Sequence, residues 1–346
     1  MIDKILQKVK NNSSIIKIER KELFVFKRLF LWYQSVLEKN SIKKNMEEFK
    51  SGFVAIVGRT NVGKSSILND LVGQKVAVVV NKPQTTRTAI KAIVNREHSQ
   101  IIFTDTPGIH KPKSKLGNTM NDTAWNSIPD ADLILFVVEA TSDGIGKGDR
   151  MILDKIKEAK ANTILVINKI DLVTKEQIFR LIEAFKDEYH FKAIIPVSAL
   201  KSQDVDIILE EIEKNLKEGP AYYSTEEYTD QTLRDLAQET IREKALKLLQ
   251  DEVPHGILVE VEKLKKGKTR ENKPIFNIEA TIYCLRNSHK GIIIGKNGNM
   301  LRKIGTYARQ DLEKILEEQV NLQLWVKVKE DWINDDHFVK RFKFQD

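Results

Sequence analysis

The stretch GFVAIVGRTNVGKSS, residues 52–66, constrains this chain most, because an apolar run passes directly into glycines, a lysine and two serines. Residues 58–65 match the pattern G-x-x-x-x-G-K-[ST], in which glycines let backbone N–H groups surround phosphate oxygens. A helix that follows offers its positive N-terminal end to the same anion. The sequence therefore predicts a strand, a phosphate-binding loop and a helix. In this arrangement Lys64 reaches the β- and γ-phosphates and the Ser65 hydroxyl ligates Mg²⁺.

Short apolar runs alternate with amphipathic segments between residues 53 and 197, and this order predicts the fold class. Buried parallel strands are predicted at 53–57, 101–103, 133–138, 163–167 and 194–197. Helices are predicted at 64–71, 149–160 and 175–187. The alternation is typical of a doubly wound, mostly parallel α/β sheet, which binds ligands at the carboxyl ends of its strands.

Residues 217–231, KEGPAYYSTEEYTDQ, break the alternation and indicate a linker. A smaller α+β domain is predicted beyond it, with helices at 233–249 and 300–317 and strands near 257–261, 275–283 and 322–328. The predicted limits are 1–45 for an N-terminal extension, 46–220 for the first domain, 221–232 for the linker and 233–346 for the second domain.

The composition is ordinary for a soluble protein, with 41% hydrophobic and 31% charged residues. The single cysteine, Cys284, excludes an internal disulfide framework and indicates a reducing compartment. No apolar run approaches the roughly 20 residues that span a bilayer, and no signal-peptide pattern is present. A cytoplasmic location is therefore expected.

The net charge of +8 is concentrated at the N-terminus. Residues 1–45 hold eleven Lys/Arg and four Asp/Glu, so +7 belongs to them and only +1 to the rest. Their string LFVFKRLFLWYQSVL is compatible with an amphipathic helix or with a poorly structured arm. Met46 begins a fresh segment, so a genuine extension and a misassigned start both remain open. A basic, aromatic arm makes peripheral membrane contact a secondary expectation.

DTPG, residues 105–108, follows the second predicted strand. Asp105 is expected to hold Mg²⁺ through water, and the Gly108 amide is expected to sense a γ-phosphate. In the preceding segment NKPQTTRT, residues 81–88, a threonine can complete the Mg²⁺ shell when the γ-phosphate is present. Thr86 is the preferred residue and Thr85 the alternative.

NKID, residues 168–171, predicts which base is bound. Guanine presents two adjacent donors, which the Asp171 carboxylate can accept as a bidentate pair, whereas adenine has no such pair. Asn168 is expected to meet the opposite edge of the base, and the Lys169 stem is expected to cover its face. SAL, residues 198–200, offers the Ala199 N–H to the guanine O6.

These motifs resemble, in order and spacing, those of translation-factor-class GTPases, and the strings PQTTR and DTPGIHKP are similar to the Era family in particular. The resemblance covers roughly residues 47–344 and implies a P-loop GTPase domain followed by an RNA-binding KH domain. It also implies GTP or GDP with Mg²⁺ as ligands, and a monomer that binds the 3′ end of 16S rRNA in assembly of the 30S subunit.

The expected catalytic residues are Lys64, Thr86, Gly108 and Asn61, and the expected metal ligands are Ser65, Thr86 and, through water, Asp105. The predicted nucleotide-binding residues are Gly58, Asn61, Val62, Gly63, Lys64, Ser65, Ser66, Thr85, Thr86, Asp105, Gly108, Asn168, Lys169, Asp171, Ser198, Ala199 and Leu200.

GKNG, residues 295–298, is a G-x-x-G loop, the KH device in which two helices meet and clamp about four nucleotides. Residues 280–310 contain six Lys/Arg and no Asp/Glu, which favours phosphate contact. Strands before the two helices resemble the bacterial KH arrangement. The predicted RNA-binding residues are Lys290, Gly291, Ile294, Gly295, Lys296, Asn297, Gly298, Arg302 and Lys303.

Hydrolysis is expected to be slow, because Ile109 occupies the position where many small GTPases carry a water-orienting glutamine. Asn61 matches a phosphate-loop asparagine that holds K⁺ in related GTPases, so K⁺ is a candidate cofactor. His110 lies in the same loop, but a general-base role for it is not required. Two other functions stay open: a nucleotide-independent RNA-binding module, and a P-loop kinase or ATPase.

Overall fold

The computed structural model describes residues 49–80, 82 and 85–341, so the predicted extension 1–45 and Gln84 lie outside the described residues. The strands of the first sheet are β1 (Lys50–Gly58), β2 (Ile90–Asn95), β3 (Ser99–Asp105), β4 (Leu133–Glu139), β5 (Thr163–Asn168), β6 (Ala193–Pro196) and β7 (Lys217–Glu218). The helices that cover it are α1 (Lys64–Val72), α2 (Lys115–Asn126), α3 (Lys147–Ala159), α4 (Lys175–Lys186) and α5 (Asp206–Asn215).

The first sheet has the strand order β2-β3-β1-β4-β5-β6, with β7 pairing β1. All five predicted strands are present and parallel to their neighbours within that set. Successive residues of β1 alternate between two buried clusters, with Val54 and Ile56 in one and Ala55 and Val57 in the other. The sheet is therefore covered on both faces, as a doubly wound fold requires.

The second domain consists of α6 (Leu233–Leu248), β8 (Leu258–Lys268), β9 (Pro274–Cys284), α7 (Asn287–Ile294), α8 (Asn299–Leu316), β10 (Gln319–Val328) and α9 (Asp336–Arg341). Its sheet has the order β10-β9-β8, in which β8 is antiparallel and β10 parallel to β9. Inward residues of the strands and the helices form one core, which includes Ile241, Ile278 and Ile304. Among the described residues, no helix is long and apolar enough to cross a bilayer.

Residues 221–232 form neither a helix nor a strand, but they are not a free spacer. The Gln100 side chain accepts from the Tyr222 and Tyr223 N–H groups at 2.6 and 2.9 Å. Further along, the Ile93 N–H of β2 donates to the Tyr228 carbonyl at 3.0 Å. The segment thus lies beside the edge strand β2 and covers hydrogen-bonding groups that would otherwise be exposed.

Candidate nucleotide and RNA sites

The phosphate loop joins β1 to α1 and turns sharply at Gly63. Gly63 has φ 98°, and a Cβ there would lie 2.2 Å from Nδ2 of Asn168, so only glycine fits. Lys64 is buried and donates to the carbonyls of Gly58 at 3.2 Å and Arg59 at 3.0 Å. Burial lowers the pKa of Lys64 to about 8, while Asp105 opposes the shift. A cavity of about 190 Å³ opens in front of the loop.

Three oxygen-bearing side chains meet beside this cavity. Oδ2 of Asp105 accepts from the Ser65 hydroxyl at 2.7 Å and from the Thr86 hydroxyl at 3.3 Å, and the two hydroxyl oxygens are 3.0 Å apart. The Thr85 hydroxyl instead donates to the Lys82 carbonyl at 2.7 Å. The geometry therefore favours Thr86 over Thr85 as the threonine of the cation site.

This cluster fits Mg²⁺, which prefers oxygen ligands and keeps several waters. The second oxygen of Asp105, Oδ1, is buried and has no hydrogen-bond partner. Burial raises the pKa of Asp105, and Lys64 and the two hydroxyls oppose that rise. Within the described ranges no group of three or more His, Cys, Asp or Glu could hold a metal. Ser65, Thr86 and Asp105 would hold Mg²⁺ here through two hydroxyls and one carboxylate, and the ion would supply positive charge beside the phosphates.

The DTPG loop lies against the phosphate loop. A Cβ on Gly108 would come 2.6 Å from the Thr60 Cα, and the Ile109 N–H donates to the Gly58 carbonyl at 3.1 Å. The Ile109 side chain is buried in the core, so it cannot orient a water. The His110 ring nitrogen Nδ1 lies 2.9 Å from the Gly108 carbonyl oxygen.

The predicted base site is formed by the ends of β5 and β6. The Ser198 hydroxyl donates to Asp171 at 2.6 Å and thereby fixes the carboxylate. Asn168 is buried, and both ends of its amide group are hydrogen-bonded. Its amide nitrogen donates to the Val62 carbonyl at 2.9 Å, and its oxygen accepts from the Ala199 N–H at 3.1 Å. Asn168 thus ties two loops together at the predicted base site.

Three other residues that were predicted to bind the nucleotide differ in how exposed their side chains are. Lys169 borders the phosphate cavity and its ammonium group donates to Glu139 at 2.6 Å. The Val62 side chain is 1% exposed, so only its backbone is available to a nucleotide. Leu200 is 84% exposed, so its side chain packs against nothing that would fix it beside a base.

The G-x-x-G loop joins α7 to α8 through a short turn, Lys296–Gly298. Gly295 has φ 71°, and a Cβ there would lie 2.7 Å from the Met300 Cβ. Lys296, Arg302 and Lys303 are exposed on this side of the domain, while Lys290 is half-buried. The predicted charged residues are therefore available to phosphates, with Lys290 less so.

An open groove of about 350 Å³ runs beside the loop, between α8 and β10. Gly298, Arg302 and Arg309 of the basic run border it, together with Gly305, Leu322 and Leu324, which the sequence reasoning missed. Of the three isoleucines before the loop, Ile293 is fully buried in the core, Ile294 packs against it and Ile292 is exposed. Leu322 and Leu324, on the far strand, instead supply apolar surface to the groove; only the three-dimensional pairing of β10 reveals them.

One short segment contacts both the cation cluster and the second domain. On either side of Thr86, the Thr85 carbonyl accepts from Arg242 of α6, and Arg87 donates to the carbonyls of Ile257 at 2.6 Å and His255 at 3.1 Å. The Arg87 guanidinium also lies 5.6 Å from the centre of the Trp332 ring. Burial lowers the pKa of Arg87, as does the nearby Arg242. Sequence reasoning had no signal for these long-range contacts.

Two family models match the chain. Residues 53–169 match the model described as a 50S ribosome-binding GTPase, and residues 252–333 match a KH domain model. The GTPase Era of Clostridioides difficile (strain 630) is 51% identical over 299 residues, which are 86% of this chain and 99% of that protein. GTPase Era of Caldanaerobacter subterraneus subsp. tengcongensis is 51% identical over 296 residues, 86% and 98% of the two chains.

Two solved structures share the whole two-domain arrangement. Era in complex with MgGDPNP and nucleotides 1506–1542 of 16S ribosomal RNA superposes with a TM-score of 0.81 at 41% identity, over 85% of this chain and 98% of that one. An Aquifex aeolicus Era variant bound to GDP·AlF4⁻ gives a TM-score of 0.81 at 42% identity, over 85% and 99%. The P-loop GTPase fold and the KH domain predicted from the motifs are confirmed, and this chain belongs to the Era family of GTPases.

Proposed function

We propose that this chain is a slow GTPase that binds GTP with Mg²⁺ and uses the nucleotide state to control how its KH domain holds ribosomal RNA. Lys64 and the loop N–H groups bind the phosphates, Ser65 and Thr86 ligate Mg²⁺ with Asp105 behind them, and Asp171 selects guanine. Hydrolysis to GDP and phosphate then releases the RNA. The proposed domain limits are 46–220, 221–232 and 233–346.

The observation that carries this proposal is the contact pattern of residues 85–87. Thr86 is 3.0 Å from Ser65 in the cation cluster, while its two neighbours bond to the KH domain. A γ-phosphate with its Mg²⁺ orders such a segment, and hydrolysis releases it. Because the same three residues contact both domains, a change at the γ-phosphate changes the hydrogen bonds that Thr85 and Arg87 make to the KH domain.

Small-subunit RNA is the proposed partner. The solved Era complex holds nucleotides 1506–1542 of 16S ribosomal RNA together with MgGDPNP. The exposed Lys296, Arg302 and Lys303 around the G-x-x-G loop suit a phosphate backbone of this kind. We therefore propose that the chain, as a monomer, acts in assembly of the 30S subunit.

The direct experiment is filter binding of RNA containing nucleotides 1506–1542 of 16S rRNA, with GDP and with a non-hydrolysable GTP analogue. We expect tighter binding with the analogue. Equal affinities would support a nucleotide-independent RNA module instead. The matching family model is described as a 50S ribosome-binding GTPase, so a 23S rRNA fragment of the same length is the matched control. Preference for the 23S fragment would contradict the proposal for the small subunit.

A monovalent cation is the second part of the proposed chemistry. Asn61 borders the phosphate cavity with φ 64°, a left-handed conformation that asparagine tolerates. We expect its side chain to hold K⁺ beside the phosphates and to accelerate GTP hydrolysis. Turnover rates in K⁺ and Na⁺ at matched ionic strength test this, and equal rates would exclude it. The matched variant is Asn61→Ala, which should respond to neither ion.

Peripheral attachment to the inner face of the cell membrane is proposed only for residues 1–45, whose structure lies outside the described residues. Their net charge of +7 and their aromatic residues suit an anionic lipid surface. Pelleting with anionic liposomes should be lost when these residues are deleted. Pelleting that survives the deletion would exclude them as the anchor.

A further inference from the structure

A chain of charged side chains links the phosphate loop to the base-binding loop along one wall of the nucleotide site. Its members are Asp149, Arg59, Glu139 and Lys169, none of which except Lys169 was predicted to act there. Arg59 lies in the phosphate loop, directly after Gly58, and Lys169 lies in the NKID motif. Each link is a close contact, so the chain is a continuous structural connection between two otherwise separate loops.

The first half of the connection anchors the phosphate loop. Nε of Arg59 donates to Oδ1 of Asp149 at 2.9 Å, and Nη2 donates to the Ser142 hydroxyl at 2.9 Å. Asp149 is 1% exposed and lies in the first turn of α3. A Cβ on Gly148 would come 2.7 Å from Cδ of Arg59, so the glycine in the first turn of α3 leaves room for the arginine.

The second half reaches the base-binding loop. Glu139, the last residue of β4, has one carboxylate oxygen 3.8 Å from Nη2 of Arg59. Its other oxygen accepts from the Lys169 ammonium at 2.6 Å. Lys169 has φ 66° and borders the phosphate cavity, so its side chain runs along the site before it reaches Glu139. The carboxylate therefore fixes the end of a side chain that borders the cavity.

We propose that Glu139 is a positioning residue for guanine nucleotides, which acts by holding Lys169 against the bound base and is itself held by Arg59, which Asp149 anchors. This inference rests on the proposed nucleotide binding at Asp171 and Lys64. We expect Glu139 and Lys169 to affect how long a nucleotide stays bound. They should not affect the chemical step, because neither the Glu139 nor the Asp149 carboxylate lies beside the phosphate that reacts. The chemical step depends on Lys64, Thr86 and the cation instead.

The test is the dissociation rate of a fluorescent GDP from wild-type protein and from Glu139→Gln, with the turnover number for GTP measured beside it. We expect GDP to leave the variant about fivefold faster, in keeping with the loss of a partly exposed, charge-assisted pair. The turnover number at saturating GTP should change less than about twofold. Glu158→Gln, which removes the exposed pair of Glu158 with Lys155 on α3, is the matched control and should change neither.

A double-mutant cycle separates positioning from a general loss of structure. In a Lys169→Met background, the Glu139→Gln change should accelerate GDP release by less than about 1.5-fold, because its partner is already absent. GDP release from Glu139→Gln at the wild-type rate, or an undiminished effect in the Lys169→Met background, would overturn the inference. Failure of wild-type protein to bind GDP at all would instead overturn the proposed function.

Discussion

The nucleotide site and the RNA groove of this protein differ in how far their polar side chains are buried. Several polar side chains of the nucleotide site are buried, since Asp105 and Ser198 are 0% exposed and Asn168 is 3% exposed. Each is fixed by hydrogen bonds to other loops. The basic residues of the RNA groove, such as Arg302 and Lys303, are exposed beside an apolar surface from Leu322 and Leu324.

The difference explains how each site recognises its ligand. Buried polar groups in fixed positions discriminate strongly, because a ligand that fails to pair with them leaves them unsatisfied. Exposed charges around a narrow groove recognise the phosphate backbone and the shape of a single strand, with less dependence on any one side chain. Single substitutions should therefore affect the nucleotide site far more than the RNA groove.

The largest effect is expected from Asp171→Asn. The substitution removes the carboxylate and with it two charge-assisted hydrogen bonds to guanine, worth about 1.5–3 kcal/mol each. GTP affinity should therefore fall on the order of a thousandfold. Xanthine nucleotides should bind the variant better than guanine nucleotides, since their carbonyl pairs with an amide donor. Calorimetry with GDP and XDP measures both, and the exposed Asp187→Asn is the control. Unchanged GDP affinity would show that Asp171 does not contact the base.

The second effect separates two neighbouring threonines. Thr86→Ala should lower the turnover number about a hundredfold, because a ligand of the cation that counters phosphate charge is lost. Thr85→Ala should lower it only a few-fold, since the Thr85 hydroxyl bonds the Lys82 carbonyl. Single-turnover GTP hydrolysis at saturating Mg²⁺ measures both variants. The reverse order of effects would assign the cation site to Thr85.

In the RNA groove, Gly298→Asp should weaken binding of the 16S fragment about tenfold and leave GTP binding intact. Gly298 has φ 75°, which Asp and Asn tolerate, and a Cβ there meets nothing within 4 Å, so the fold should survive. Gly298→Asn has the same shape without the charge and should weaken binding less. Equal losses for the two variants would mean that backbone geometry, not charge, governs this position.

The smallest effect concerns an ion-pair group outside both sites. Arg150 and Lys157 lower the pKa of Glu188 to about 2, so this contribution to stability is complete above the ordinary pKa of 4.5 and is lost as pH falls towards 2. Glu188→Gln should therefore lower the thermal midpoint slightly at pH 6 and by less at pH 3. The contacts are exposed, which keeps the effect small. If the loss of thermal midpoint in Glu188→Gln were larger at pH 3 than at pH 6, the lowered pKa of Glu188 would be contradicted.

The sequence predicted the P-loop GTPase fold well because its motifs are local. Gly63 and Asp105 occur in short strings that end predicted strands, and parallel strands bring their ends to one edge of the sheet. The same logic could not foresee β2, which is antiparallel to β3 and belongs to the segment between two motifs. Nor did it foresee the hydrogen bonds of Asn168 to Val62 and Ala199, because hydrogen bonds between separate loops leave no periodic signal.

The RNA groove was predicted less completely for the same reason. The G-x-x-G string and the acid-free run 280–310 are visible in the sequence, but the opposite wall is a strand that follows α8. Arg87 and Trp332, which meet across the two domains, are separated by more than two thirds of the chain. Contacts of this kind are fixed by tertiary packing and not by local pattern.

The central claim is that residues 85–87 transmit the nucleotide state to the KH domain. Its most direct test is the affinity for 16S nucleotides 1506–1542 of wild-type protein and of Arg87→Ala, each with GDP and with a non-hydrolysable GTP analogue. We expect at least about fivefold tighter binding with the analogue for the wild type and nearly equal affinities for the variant. A variant that keeps the wild-type ratio would contradict the claim.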